Sequence, residues 1–340
     1  MTVLVTGAIG FIGAHLTRQL VVAGHRVIAT GRQPMPPHEL LKYAQYVMAD
    51  LTQPAQLAAL PQQVDAVIHV AALASDNKTW ADFEMHNVQV TRLLAEKYCH
   101  VAYFILLSSS SVYNFSSGMP QRETDATEST ANSHYGRSKY LSEQALLQTP
   151  APAQHRLILR PRAVYGIGDR LLLPRLLQMV RGSFFISPGS MDVYTDLTHV
   201  QHITRTILQY LSQPTLFHDV ILNIADFESY HLATIAIELL QTLYQRPLYH
   251  LPLPLLPLQL LASMQITNRL TPMALQSVTQ TSLLDTSRWR AVVPPDMNLN
   301  LYHILPAWQR WLRGYDPTNP ARAIQLYLAR AAEAPWRLIL

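Results

Sequence analysis

The sequence predicts an α/β protein built on a doubly wound parallel sheet, with a smaller lobe in its second half. Three observations carry this prediction. Residues 3–5 (Val-Leu-Val) make a short apolar run, Gly7, Gly10 and Gly13 follow three apart, and an amphipathic stretch continues through Leu16 and Leu20. From there to about Gly168, apolar strands alternate with helical patterns, as a parallel sheet with crossover helices requires. Beyond Gly168 the alternation weakens and proline becomes frequent, which places the change of domain near Gly166.

The first unit reads as strand, glycine turn and helix. Glycines at such a turn let the backbone approach a pyrophosphate, whose charge then rests on free amides at a helix N-terminus. The competing reading is a tight turn that needs positive φ and binds nothing. Gly24 ends the helix, and residues 25–30 (HRVIAT) form a second strand that runs into Gly31 and Arg32 with no acid at its end. An acid there serves the adenine-ribose hydroxyls of NAD, whereas an arginine accommodates the 2′-phosphate of NADP. Arg32 therefore favours NADP over NAD.

A third strand (YVMADL) ends at Asp50, a carboxylate facing the crevice where open parallel sheets bind ligands. Asp50 is expected either to receive an adenine amino group or to cap the helix starting near Pro54, a task for which Thr52 competes. The next run, DAVIHVAALAS, is apolar throughout, and Ala71 and Ala72 at its end leave space for a flat cofactor. His69 lies within it and reads as a satisfied core histidine. A helical pattern follows from Trp80 to Tyr98, with Phe83, Val90, Leu93 and Leu94 on one face and Asn87 placed to bond between elements. The strand AYFILL then meets four serines, Ser108 to Ser111. After a polar loop over residues 118–133, a helix carries Tyr135 and Lys139 four apart on one face. One more strand closes with Arg160 and Pro161. Beyond it, a helix near Leu172–Arg181 and a late strand at residues 220–226 (VILNIAD) are expected.

Composition narrows the class. Charged residues make up only 14% of 340, against about 25% in an average soluble domain. A greasy surface or cavity is therefore expected. The net charge of +4 is dispersed, with no basic run interleaved with aromatics, so nucleic acid is not an expected partner. The single cysteine, Cys99, excludes an internal disulfide. With a strand beginning near Thr2 and no targeting pattern before it, a cytoplasmic location is expected. No metal-ligand spacing stands out. The most apolar segment, residues 248–264, is interrupted by Pro252, Pro254 and Pro257 and is too short to span a bilayer. It is expected as ordinary core, as a pocket wall or as a peripheral membrane contact, with core favoured.

VTGAIGFIG, Asp50, VIHVAA, SSSSVY, Tyr135-x-x-x-Lys139 and RPRAVYG occur in the order seen in extended short-chain dehydrogenases/reductases, and the sequence resembles that family over about half its length. Sixteen tyrosines and four lysines in 340 residues give only about 0.2 chance Tyr-x-x-x-Lys pairs, so one at the expected place is informative. The resemblance implies an NAD(P)-binding Rossmann domain over residues 1–165. It also implies a mainly substrate-binding domain over 166–340, with the segment near 195–226 returning to the sheet. It makes Tyr135 the general acid/base and Lys139 its partner on the nicotinamide ribose. Ser109 becomes the carbonyl-binding hydroxyl, with Ser110 and Ser111 as alternatives. It assigns cofactor contacts to Gly7, Gly10, Phe11, Ile12, Gly13, Asp50, Leu51, Ala71, Ala72, Tyr135, Lys139, Pro161 and Val164.

A looser similarity, carried by RPRAVYGIGDRLLLPRLL, DVYTDLTHV and LTPMALQSVTQTSLLDTSRW, points to the 3β-hydroxysteroid dehydrogenase-like branch, although Ile167 stands where that branch has proline. The expected activity is hydride transfer between a nicotinamide cofactor and a hydroxyl or ketone on a sterol-like or long-chain acyl substrate. A nucleotide-sugar 4-epimerase is the alternative, for which Arg170, Arg175 or Arg181 would meet the pyrophosphate. A dehydratase is disfavoured because Ser110 and Ser111 stand where those enzymes carry an Asp-Glu pair. A cofactor sensor without turnover is disfavoured because both Tyr135 and Lys139 are present. Family analogy also implies a homodimer through the helices at residues 80–98 and 134–148.

Overall fold

The computed structural model describes residues 1–311 apart from 75–77, 151–152, 170–171, 219 and 264–271. Its first half runs β1 (Thr2–Thr6), α1 (Phe11–Val22), β2 (Arg26–Gly31), α2 (His38–Leu41), β3 (Gln45–Met48), α3 (Pro54–Ala58) and β4 (Ala66–His69). It continues with α4 (Trp80–Phe83), α5 (Val90–Lys97), β5 (Tyr103–Leu107), α6 (His134–Leu147) and β6 (His155–Pro161). The strands form one parallel sheet in the order β3-β2-β1-β4-β5-β6, and a late strand, Ile221–Ile224, pairs parallel to the outer side of β6. The chain leaves β1 toward β2 and β3, then returns to place β4 on the other side of β1. The crevice between the C-terminal ends of β1 and β4 is thus the switch point where such sheets bind ligands.

Strand residues alternate between the two faces. Val3, Val5, Ile105, Leu157 and Leu159 join a core with α1 residues Leu16 and Leu20, with Ile203 and Ile207 of the Val200–Ser212 helix, and with Trp289. Leu4, Val67, Phe104, Leu106 and Ile158 join the opposite core with Val90, Leu94 and Leu146 from α5 and α6. Both faces are covered, which is why these strands read as continuous apolar runs.

A third core lies in the second half, where Leu173, Leu177, Phe185, Leu239 and Leu240 pack together between the helices Leu172–Gln178 and Leu232–Tyr244. The first of these helices stops at Gln178 and Val180–Arg181 is already strand, shorter than the helix expected to reach Arg181. Residues 248–263 depart further from expectation. They form the strand Tyr249–Leu253 and the helix Leu255–Ser263, and most of their apolar side chains are exposed, Leu256 by 76% and Leu260 by 65%. Pro252 lies in the strand, Pro254 between the two elements and Pro257 in the first turn of the helix, and the segment is not ordinary core. No helix among the described residues is long and apolar enough to cross a membrane.

Candidate active site

The glycine turn sits at the switch point. Gly7 has φ +67°, and a Cβ on Gly13 would stand 2.2 Å from the Gly7 carbonyl oxygen, so residues 7–13 close only because side chains are missing there. Gly10 caps α1 with no side-chain hydrogen bond. The first amides of the helix, at Phe11, Ile12 and Gly13, have no acceptor within it and present themselves to an anion. A Cβ on Gly7 would also strike the Ala71 backbone at 2.8 Å, which brings the small residues after β4 against the turn.

Arg32 is exposed beyond β2, and Asp50 is half-buried beyond β3. Asp50 Oδ1 accepts from the Thr52 amide at 3.0 Å and the Thr52 hydroxyl at 2.8 Å. Burial pushes its carboxyl up, but these bonds and the positive charge of Arg32 outweigh it and hold the group below the usual range. Neither Asp50 nor Thr52 caps the Pro54 helix, whose N-cap is Gln53 without a side-chain bond. Leu51 is buried beside them, while Pro161 ends β6 and Val164 opens a two-residue pairing with Thr198 and His199.

Ser109 leaves β5 and caps the turn Ser110–Val112, its Oγ accepting from the Ser111 amide at 3.1 Å. Helix α6 starts at a Ser133 cap, which puts Tyr135 in its first turn, and Gly136 lets that turn press on the Ser111 carbonyl, 2.1 Å from where a Cβ would be. Ser110 is buried, so Ser109 is the hydroxyl that meets the half-buried Tyr135 phenol. Burial pushes the phenol above its ordinary value, and the Ser109 hydroxyl pulls it down. One turn along, Lys139 is buried and donates from Nζ to the Leu107 carbonyl at 2.7 Å. Burial draws its ammonium down to about 8, with Glu143 resisting. The lysine is thus anchored to the end of β5 instead of to the phenol.

The surroundings of these side chains are tightly bonded. Residues 84–89 widen the helix between α4 and α5 into a π turn, a distortion common at functional sites. It carries Asn87, which accepts from the Leu73 amide at 2.7 Å and donates to Ser138 Oγ at 2.8 Å, tying the loop after β4 to α6. His69 is a core histidine. Thr91 gives its own proton to the Asn87 carbonyl, so His69 Nε2–H donates to Thr91 while Nδ1 accepts from Thr6. Burial holds this ring neutral, at about 3.

Sequence reasoning missed two buried networks. Arg160, 2% exposed, pairs with the fully buried Glu143 at 2.9 and 2.5 Å, and Glu143 also accepts from the Ser108 hydroxyl. Arg160 further donates to Tyr113 Oη, which in turn donates to Asn223 Oδ1. This network bolts α6 to β6 and the late strand. The second centres on Asp226, which accepts from the hydroxyls of Tyr165 and Tyr230 at 2.6 and 2.7 Å and faces His202 Nδ1 at 3.1 Å. The only signal available was a set of polar residues inside apolar strands. Ile167, the departure from the expected proline, offers its carbonyl to His15 Nε2 of α1 at 2.8 Å.

Of the arginines expected for a pyrophosphate, Arg170 lies outside the described residues and Arg175 is exposed. Arg181 is spent on the carbonyls of Gln178 and Val180. No cluster of three or more potential metal ligands occurs among the described residues.

Residues 3–225 match the model of the NAD dependent epimerase/dehydratase family. The chain is 28% identical over 207 residues to 2-alkyl-3-oxoalkanoate reductase of Stenotrophomonas maltophilia, covering 59% of this chain and 62% of that protein. It is 30% identical over 216 residues to ceramide reductase of Caulobacter vibrioides, covering 63% and 62%. The match thus spans about three fifths of the length of these relatives. The fold superposes on UDP-glucuronic acid 4-epimerase of Bacillus cereus with a TM-score of 0.69 at 22% identity, over 92% of this chain and 99% of that one. With two thirds of its length matched, and the glycine turn, Ser109, Tyr135 and Lys139 gathered along the C-terminal edge of its sheet, the chain belongs to the NAD dependent epimerase/dehydratase family.

Proposed function

We propose that this protein interconverts a hydroxyl and a ketone on a hydrophobic substrate, using NADP or NAD. The observation that carries the reading is the meeting of Ser109 and Tyr135 at the end of β5, one helical turn from Lys139. The bare amides of residues 11–13 and the side-chain-free turn fit a pyrophosphate, Ala71 and Ala72 fit a flat ring system, and Arg32 beside Asp50 fits a 2′-phosphate. When bound, the nicotinamide ring supplies or accepts the hydride. Ser109 hydrogen-bonds the substrate oxygen and holds it in line. Tyr135 gives that oxygen its proton in reduction and takes it back in oxidation. A phenol raised by burial stays protonated near neutral pH, so oxidation there draws on the positive charge that a bound oxidised cofactor would add.

The exposed leucines of the Leu255–Ser263 helix and the low charge content favour an apolar substrate. Both relatives named above are reductases, and their names describe lipid-like substrates. The 4-epimerase reading has the support of fold likeness and of a Bacillus subtilis relative, 28% identical over 248 residues, described as an uncharacterized UDP-glucose epimerase. We also propose residues 1–165 as the cofactor domain, completed by the strand Ile221–Ile224, and the remainder as the substrate domain. A homodimer through the helical stretches at residues 80–98 and 134–148 belongs to the same proposal. The test is oxidation of NADPH on addition of a long-chain ketone, with UDP-glucose as comparison. Net oxidation by the ketone supports the reductase, whereas conversion of the UDP-sugar without net oxidation replaces it with the epimerase.

A further inference from the structure

Arg162 follows Pro161 at the end of β6, and its amide is held by Thr198 Oγ1 at 3.0 Å. Its guanidinium lies over the Phe115 ring, 5.3 Å from the centroid, and Nε is buried without a hydrogen-bond partner. Among the described residues Nε has no acceptor, and the opposite charge that bears on the guanidinium is that of Asp196. Its neighbours in the fold are all engaged. Arg160 is paired with Glu143, Arg288 faces Glu123, and Arg290 donates to the Asp226 carbonyl. The carboxylate whose field reaches Arg162 is Asp196, whose oxygens accept from the Ser229 hydroxyl at 2.5 Å and the Leu284 amide at 2.6 Å and leave Arg162 Nε without an acceptor. A planar fork of donors with a buried member idle matches a planar or tetrahedral group of anionic oxygens.

Its position says whose anion that is. Strands β5 and β6 pair with Leu107 opposite Leu159, and the Ser108 amide donates to the Leu159 carbonyl at 2.8 Å. Ser109 and Arg162 therefore follow the C-terminal ends of adjacent strands and lie at one edge of the sheet. Resting on the assignment of Ser109 and Tyr135 to the reacting oxygen, we propose that Arg162 binds an anionic group of the substrate a few bonds from that oxygen. The shared chemistry is that of a carboxylate on a keto acid or a phosphate on a nucleotide sugar.

The test uses the full chain saturated with NADPH and measures binding calorimetrically for octanoate against methyl octanoate and for UDP against uridine. At least one anion should bind ten-fold or more tightly than its uncharged counterpart. Arg162→Met should erase that preference, and Arg162→Lys should restore part of it. A preference for octanoate identifies the carboxylate source, and one for UDP the phosphate source. Should Arg162→Met fail to fold, the wild-type comparison and the lysine variant decide. Equal binding of charged and uncharged partners by the wild type overturns the proposal, as does an undiminished preference in the folded methionine variant. Turnover of an uncharged ketone ester tests the reaction separately. Anion preference without any turnover upholds Arg162 while removing the reductase, and turnover without anion preference does the reverse.

Discussion

Replacing Lys139 with methionine should give a stability difference that depends steeply on pH. In the folded protein, burial draws the Lys139 ammonium down to about 8 from its ordinary 10.5. Across that interval the unfolded chain binds more protons than the folded one, so the wild-type contribution to stability rises with pH. Below pH 8 both states are protonated and the full cost of burying the ammonium is present, about 3 kcal/mol for a shift of this size. Methionine has similar reach and carries no charge to desolvate. It loses the bond to the Leu107 carbonyl, but that loss is a constant offset. The unfolding free energy of the wild type, taken relative to Lys139→Met, should therefore grow by about 3 kcal/mol between about pH 7 and pH 10.5. Urea unfolding of both proteins at several pH values in that range measures it, and groups that titrate in both cancel. A flat difference, or one that moves against the wild type as pH rises, would refute the assignment of a strongly desolvated ammonium. Turnover should be lost in the variant even at the pH where its stability compares best, a separation of stability from function expected at active sites.

Three further perturbations have defined outcomes. Gly13→Ala places a Cβ 2.2 Å from the Gly7 oxygen, and calorimetric titration should show NADPH affinity falling by ten-fold or more; unchanged affinity would mean that the turn is not the phosphate site. Glu143→Ala strands the buried Arg160 guanidinium and should cost about 3–5 kcal/mol in urea unfolding. A cost below about 1 kcal/mol, typical of surface pairs, would show the pair to be solvated. Arg32→Ala should weaken NADPH by about ten-fold while leaving NADH nearly untouched, since only the former carries a 2′-phosphate for the exposed guanidinium. Equal losses for both cofactors would remove Arg32 from the site.

The parts of the molecule that sequence conveys well are those set by local geometry. Gly7, Gly10 and Gly13 announce a turn in which a side chain cannot fit, and the runs at residues 66–69 and 103–107 announce strands covered on both faces. Tyr135 and Lys139 share a helix face because 3.6 residues make a turn. Partners distant in sequence are not legible in this way. Nothing local pairs Arg160 with Glu143, or Asp226 with Tyr165, since these bonds form only after β6 and the late strand are aligned. Residues 248–263 mislead for a related reason. An apolar run reads as core by composition, and whether another element covers it is decided by tertiary packing, which here leaves Leu256 and Leu260 exposed. Arg162 is visible in the RPRAVYG segment, but a buried Nε without an acceptor can be recognised only when its neighbours' bonds are known.

In the proposed reaction Ser109 and Tyr135 act on the oxygen of a ketone while hydride passes between its carbon and the nicotinamide. The most direct measurement is single-turnover oxidation of bound NADPH by a long-chain 3-oxo ester, comparing the wild type with Tyr135→Phe. Oxidation by the wild type and a loss of about 10²–10⁴-fold in the phenylalanine variant are expected, with NADPH still bound as tightly. Equal rates in the two proteins, or NADPH binding with no oxidation by any ketone offered, would contradict this reaction.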